Sequence, residues 1–327
     1  GCWAGAAGLF LEKAMLRHIG FGALSPLRVA PDPLLYCRHP KGAVIFGERY
    51  SPGCFRSAAR VPTSRRGGHD DAPPLDHRLG LLMADRILLV RLSAMGDIVF
   101  ASPLVAAFRR RYPDAGISWL VAEPFADLLA SDPVIDEVIV LPTRSWGRLL
   151  RERRYLTFAR EVRAFVTGLR RRRFDLAVDL QGLMKSGIWV GLSGAARRIG
   201  LGSREGSQHF MHQVIHRHGG RRERIASEYL FLAGELGLPV DDFPMRVAVC
   251  PEAAARAAAL VAEQVGEHPY GVICPFTTRP QKHWTRERWL ELIPRLRDRF
   301  GGPVVMLGGP GDKVAAADIA AACDVVN

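Results

Sequence analysis

Ile87-Leu88-Leu89-Val90-Arg91-Leu92-Ser93-Ala94-Met95-Gly96-Asp97-Ile98-Val99-Phe100 is the stretch on which the fold of this chain is decided. Ile87 to Val90 is a short, branched, apolar run, the composition of a strand buried on both faces of a parallel sheet. Ile98-Val99-Phe100 opens a basic, helix-like segment that reaches Arg111. Gly96 permits a tight turn between them, and Asp97 stands where an N-cap would accept the free amide hydrogens of the new helix. Ligands of open α/β sheets bind outside the carboxyl ends of the strands. The acid therefore has two readings, a helix cap or a group for chemistry.

Outward from this unit the pattern alternates. Strands are expected at Ile117–Val121, Val138–Leu141, Asp175–Val178 and Arg198–Leu201, and helices at Asp97–Arg111, Glu123–Leu129, Tyr155–Arg173, Met184–Leu192 and Glu223–Leu236. Strands separated by helices imply a parallel sheet with right-handed crossovers. Residues 83–237 read as one Rossmann-like domain, and 238–270 as an interdomain passage with an alanine-rich helix at Glu252–Val265. A second alternation begins at 271: a strand at Gly271–Pro275, a helix capped by Thr285 and running to Arg299, a strand at Val304–Leu307 and a helix at Asp312–Ala322. About 55 residues are short of the 100 or more of a usual domain, so this second domain is expected to be incomplete in a chain that is a fragment. Residues 1–82 carry Pro and Gly interruptions and one possible short helix at Gly8–Ile19. They are expected to be a poorly ordered or non-native extension preceding a start at Met83, with an accessory domain as the alternative.

The 327 residues are 48% hydrophobic, enough for proper cores. No stretch approaches the roughly 18 apolar residues of a membrane span, and no signal peptide is expected. Six scattered cysteines suggest reduced thiols in a cytoplasmic protein. The net charge of +12 favours an anionic partner: nucleic acid, a phosphorylated glycolipid or a membrane surface. A basic nucleic-acid-binding protein is the non-enzyme alternative, but helix-turn-helix, RRM-like and zinc patterns are lacking. His209, His212, His216 and His218 cluster without a cysteine or paired carboxylate, so no metal site is expected. Gly308-Gly309-Pro310-Gly311 matches neither a Walker loop nor a dinucleotide fingerprint, which counts against a nucleotide-dependent oxidoreductase.

Arg91-Leu-Ser-Ala-Met-Gly-Asp-Ile98 resembles the opening signature of glycosyltransferase family 9, the ADP-heptose:lipopolysaccharide heptosyltransferases. Asp179-Leu-Gln-Gly-Leu-Met-Lys-Ser186 resembles the family's second motif. Phe276-Thr-Thr-Arg279 with Lys282-His-Trp284 resembles the elements that open its second domain. The likeness spans about residues 84 to 327 and is nearest to members that add the first inner-core heptose. It implies an α/β fold of GT-B type, two Rossmann-like domains with parallel sheets, the C-terminal one truncated here before the family's Asp-x-Gly-x-x-His loop. It also implies inverting transfer of heptose from ADP-L-glycero-D-manno-heptose to Kdo of the lipopolysaccharide inner core, or to a later core sugar. The enzyme would be a monomer, peripheral on the cytoplasmic face of the inner membrane, with ADP-heptose as donor and neither a metal nor nucleic acid required.

Sugar transfer of this kind needs a base for the acceptor hydroxyl and positive or hydrogen-bonding groups for the departing diphosphate. The resemblance makes Asp97 the catalytic base. Thr277, Thr278 and Lys282 fall at donor-phosphate positions, although Lys282 also fits an exposed loop lysine. Asp312 fits a ribose contact and a helix N-cap equally. Arg91, Arg144, Arg148, Lys185 and Arg204 fall at acceptor-side positions, with Arg144, Trp146 and Arg148 expected on a loop. Lys185 also fits a structural role at its turn. His283 and Trp284 are expected to pack the start of the following helix. The arginines from Arg151 to Arg173 read either as a solvated helix face or as attraction to an anionic leaflet, worth about 1 kcal/mol each near the surface.

Overall fold

The structure is a computed structural model that describes residues 37–38, 44–45, 84–203, 205–217, 226–277, 280–323 and 325–326. The expected helix at Gly8–Ile19, the start at Met83 and most of 1–82 lie outside the described residues. The exceptions are two short strands, β1 (Cys37–Arg38) and β2 (Val44–Ile45), which pair antiparallel. The described chain divides into two compact units, one running to Cys250 and one from Pro251 that includes β1 and β2.

The first unit is built on β3 (Arg86–Val90), β4 (Gly116–Ala122), β5 (Glu137–Leu141), β6 (Leu176–Asp179), β7 (Arg197–Leu201) and β8 (Gln213–Ile215). They form a six-stranded sheet in the order β5-β4-β3-β6-β7-β8, every pair parallel. The apolar run of β3 serves both faces. Ile87 and Leu89 pack into a core with Phe108 and Trp119, while Leu88 and Val90 pack into another with Trp146 and Trp189. Alternate side chains point to opposite faces, so a doubly covered strand has to be apolar at every position.

The helices of this unit are α1 (Met95–Ala101), α2 (Pro103–Arg111), α3 (Thr143–Arg151), α4 (Tyr155–Arg171), α5 (Met184–Leu192) and α6 (Ala226–Glu235). The single helix expected over Asp97–Arg111 is two. Pro103 is the first residue of α2, where its missing N–H costs nothing, and Ser102 Oγ donates to Val99 O at 2.8 Å to close α1. The segment around Arg144, Trp146 and Arg148, expected as a loop, is helix α3, whose Trp146 and Leu149 are buried on the inner side. Glu123–Leu128 is a 3₁₀ turn, and β8 was not anticipated.

In the second unit β9 (Gly271–Ile273) and β10 (Val304–Met306) run parallel, with β2 parallel to β9 through Val44 and Gly271. Helices α7 (Pro251–Gln264), α8 (Arg286–Phe300) and α9 (Lys313–Cys323) accompany them. The core gathers Ile273, Ile293, Leu296, Val304, Met306 and Ile319. Among the described residues no helix is long and apolar enough to cross a membrane.

Candidate active site

The chain winds from β3 outward to β4 and β5, then returns to β6 on the other side of β3 and winds outward again. Loops leaving β3 and β6 therefore part in opposite directions and open a crevice at the carboxyl edge, the usual ligand position of such sheets. Arg91 and Leu92 follow β3, and Leu180 to Leu183 follow β6.

Arg91 ties the two loops together. It is only 8% exposed, and its Nη1 donates to Leu180 O at 3.0 Å while its Nη2 pairs with the Asp97 carboxylate. Its Nε is buried without a hydrogen-bond partner. Asp97 is not the N-cap residue itself: α1 starts at Met95 with Ala94 as its N-cap, and Asp97 lies in the first turn, at the third helical position of a capping box. Its Oδ2 reaches back to the Ala94 N–H at 3.3 Å, which aims the carboxylate over the helix N-terminus. With 42% of its side chain exposed, Asp97 faces solvent from a buried anchor. Gly96 sits in the same turn without strain, and a methyl group there would meet nothing within 4 Å.

Gln181 organises the other side. Buried itself, it accepts the Leu92 N–H through Oε1 at 3.0 Å and donates from Nε2 to Ser93 Oγ at 3.4 Å. Lys185, in the first turn of α5, donates to the same Ser93 Oγ at 3.0 Å. The Lys185 amine is held below the usual lysine range by withdrawal from water and by the nearby Arg91 charge, with Glu205 acting the other way. The fully buried Asp179 folds the loop, its Oδ1 accepting the N–H groups of Gln181 and Gly182, each at 3.0 Å. Burial pushes the Asp179 carboxyl up despite these bonds and despite Arg91.

A second brace lies behind this loop, and nothing in the sequence announced it. Arg217 donates to Gly202 O at 2.7 Å, to Gln181 O at 2.5 Å and to Glu228 Oε1 at 2.6 Å. Glu228 is buried on α6. Beside it, Tyr229 donates to Leu180 O at 3.4 Å, and burial raises its hydroxyl to about 12. Gly182 adopts φ +63°, where a Cβ would stand 2.5 Å from Arg217 Nη2 and 2.9 Å from Leu201 O. Only glycine fits that approach. Arg217 and Glu228 carry no local pattern, so no sequence signal marked them. Ser93 lies within the first motif, and only its contacts with Gln181 and Lys185 mark it.

A cavity of about 260 Å³ opens from Ser93 and Lys185 between β3, α3, α4 and α5, walled chiefly by Trp146, Phe158, Val162 and Trp189. Trp146 meets Phe158 edge-on at 5.8 Å and is held by its Nε1 donating to Glu161 Oε2 at 3.0 Å. Arg144 and Arg148 are exposed on α3, and neither lines the cavity. Arg204 lies outside the described residues.

In the second unit, a pocket of about 220 Å³ is lined by Phe276, His283, Trp284, Trp289 and Asp312, among others. His283 Nε2 lies 2.6 Å from Thr277 O, and Trp284 packs edge-on against Trp289 at 5.3 Å. Asp312 precedes α9, yet its carboxylate accepts the Gly309 N–H at 2.7 Å, closing the glycine-rich turn. Lys282 is exposed at the end of the 3₁₀ turn Pro280–Lys282, and Thr278 lies outside the described residues. Of the histidine group, His212 bonds Arg198, and His218 lies outside the described residues. Among the described residues no set of three or more His, Cys, Asp or Glu could hold a metal ion.

Comparison with known proteins matches residues 162–327 to the model of glycosyltransferase family 9 (heptosyltransferase). Lipopolysaccharide heptosyltransferase 1 of Salmonella typhimurium is 26% identical over 249 residues, covering 74% of this chain and 74% of that protein. Its namesake from Pseudomonas aeruginosa is 27% identical over 246 residues, with 72% of this chain and 64% of that protein covered. Among solved structures, the E. coli heptosyltransferase WaaC with ADP-2-deoxy-2-fluoro heptose superposes with a TM-score of 0.55 at 25% identity, over 74% of this chain and 75% of that one. A family 9 glycosyl transferase from Veillonella parvula gives a TM-score of 0.58 at 20% identity, over 74% and 67%.

Proposed function

The chain belongs to glycosyltransferase family 9, and from that membership and the geometry after β3 we propose that it moves heptose from ADP-L-glycero-D-manno-heptose to Kdo of the lipopolysaccharide inner core. The observation that carries this is Asp97: a half-exposed carboxylate at the carboxyl end of a central strand, aimed by a buried arginine, with Ser93 and Lys185 alongside. Asp97 takes the proton of the acceptor hydroxyl as the oxygen attacks the anomeric carbon. The bond from that carbon to the diphosphate breaks in the same displacement, ADP departs and the configuration inverts. One carboxylate without a covalent intermediate requires no second acid.

In this reading Lys185, Arg144, Arg148 and Arg204 favour an anionic acceptor, while Arg91, which the resemblance also put on the acceptor side, is buried and acts through Asp97. Thr277, Thr278 and Lys282 serve the leaving diphosphate, and Asp312 the ribose. Solved relatives support the nucleotide: E. coli WaaC has been solved with ADP and with ADP-2-deoxy-2-fluoro heptose. The acceptor lies at the cytoplasmic face of the inner membrane, the enzyme is a monomer, and no metal takes part.

The test is transfer from ADP-heptose to Kdo₂-lipid A followed by mass spectrometry, with and without a chelator. A heptose added to the acceptor at an unchanged rate in chelator is expected. Asp97→Asn should lower turnover about 10³-fold while ADP binding is kept. Retained turnover in that variant would remove Asp97 from the role of base, and transfer only to a longer core acceptor would move the reaction to a later sugar.

A further inference from the structure

We propose that the tip of the α3–α4 hairpin is a docking surface for an anionic lipid bilayer. The inference deepens the sugar-transfer reading by naming the element through which this unit meets its membrane, and it rests on that reading for its biological setting. From Thr143 to Arg173 the chain has eleven arginines and two acidic residues. Arg144, Arg148 and Arg151 of α3, Arg153 and Arg154 at the reversal, and Arg160 and Arg163 of the first half of α4 are all exposed.

The reversal between the helices is well ordered by its own backbone. Glu152, Arg153 and Arg154 donate their N–H groups to Arg148 O, Leu150 O and Leu149 O at 2.9, 3.1 and 2.9 Å. Arg153 takes a left-handed φ of 55° there. That turn leads directly into Tyr155 and Leu156, which are 54% and 89% exposed. Leu156 is the most exposed of the large apolar residues described. It shares a helix face with Arg160 and Arg163, at spacings of four and seven, while Phe158, Val162 and Phe165 pack inward against the core.

An aliphatic side chain standing in water, next to a tyrosine and ringed by arginines, has the chemistry of a membrane interface. Arginine stems lie along apolar surface with their charges at the headgroups, and tyrosine suits the boundary between them. A nucleic-acid surface would use the charges but would have no place for Leu156. The same two helices wall the cavity that opens at Ser93 and Lys185, through Trp146, Phe158 and Val162. A glycolipid held in the bilayer at the tip is thereby brought to the unit that carries Asp97.

The experiment is sedimentation of the full chain with vesicles of phosphatidylcholine containing about 30 mol% phosphatidylglycerol, at about 0.1 M salt. Wild type should bind these and leave pure phosphatidylcholine vesicles largely unbound. Leu156→Ser should weaken binding roughly tenfold, from the lost apolar contact. Arg151→Gln, Arg154→Gln and Arg160→Gln together should weaken it roughly 100-fold, at about fivefold per charge. Both variants should transfer heptose to a water-soluble, deacylated acceptor at the wild-type rate. Unchanged vesicle binding in both variants overturns the proposal. So does binding to duplex DNA that outcompetes the vesicles and is indifferent to Leu156, which would make this a nucleic-acid surface. If wild type transfers to no acceptor, the sugar-transfer reading fails, and the vesicle binding of the two variants still decides the surface.

Discussion

The turn after β3 and the pocket of the second unit are held in different ways. Around Arg91 and Asp97 nearly every polar group is fixed by another: Gln181 holds Leu92 and Ser93, Asp179 holds Gln181, and Arg217 holds the Gln181 carbonyl against Glu228. In the second unit the turns are braced locally, with His283 on Thr277 and Asp312 on Gly309, one longer pair ties Arg286 of α8 to Asp318 of α9, and Lys282 and Trp284 stand exposed. Rigid placement suits a base that must meet one hydroxyl in one orientation, because misplacement by about an ångström costs rate steeply. A leaving diphosphate is served by charge and amide groups that tolerate adjustment. On the proposed reading, the more densely braced of the two regions is the one that carries the base.

The difference can be broken at its strongest point. Arg217→Met leaves Glu228 buried without a partner, and the first unit should lose about 3 kcal/mol in denaturant unfolding. Turnover per folded molecule should fall as well, because the Gln181 loop loses its anchor. Stability within about 0.5 kcal/mol of wild type would show that the long-range brace is decorative. A change on the donor side should do less: Thr277→Ala keeps the main-chain O that meets His283 and, on the proposed reading, is expected to raise the KM for ADP-heptose about tenfold, the worth of one hydrogen bond to a charged group, with no loss of fold.

The smallest effect is one of pH. Lys185 has a depressed pKa, so its charge disappears as pH rises through values below the ordinary lysine range. The KM for the anionic acceptor should rise along that alkaline limb, while the KM for the donor stays flat. Lys185→Met should abolish the limb and leave a uniformly weak acceptor KM. A limb that persists in Lys185→Met assigns it to another group.

Much of this was legible from residue order. The β-branched and leucine run of β3, the acid seven residues beyond Val90 and the alternation of strands with helices follow from the two covered faces of a parallel sheet. Motif wording then gathered Arg91, Asp97 and Lys185, and the structure brings Arg91 to Asp97 and Lys185 to Ser93. Helix α3 was missed because Gly147 and the arginines hide the inward pair Trp146 and Leu149, which needs the opposing Phe158 and Trp189 to declare it. Asp97 caps from the third helical position and not from the N-cap, because Ala94, a poor capping residue, holds that place and leaves the helix start unmarked in the sequence. Arg217 and Glu228 form their pair only once β8 and α6 have folded onto the β6 loop, so neither residue looks different from a surface charge in the sequence.

The strand order also sets a sequence in time. β3 and β6 are neighbours in the sheet although Ile87 and its partner Leu176 are nearly ninety positions apart along the chain, and two whole β–α excursions intervene. Local helices and the adjacent pair β3–β4 can form early, whereas closing so long a loop is entropically slow and contributes only at the end. The contacts that aim Asp97 cross this same seam, from Arg91 to Leu180 and from Leu92 to Gln181. A partly folded chain with most of its helices in place would thus be inert, and recovered turnover during refolding would mark the closure of the seam.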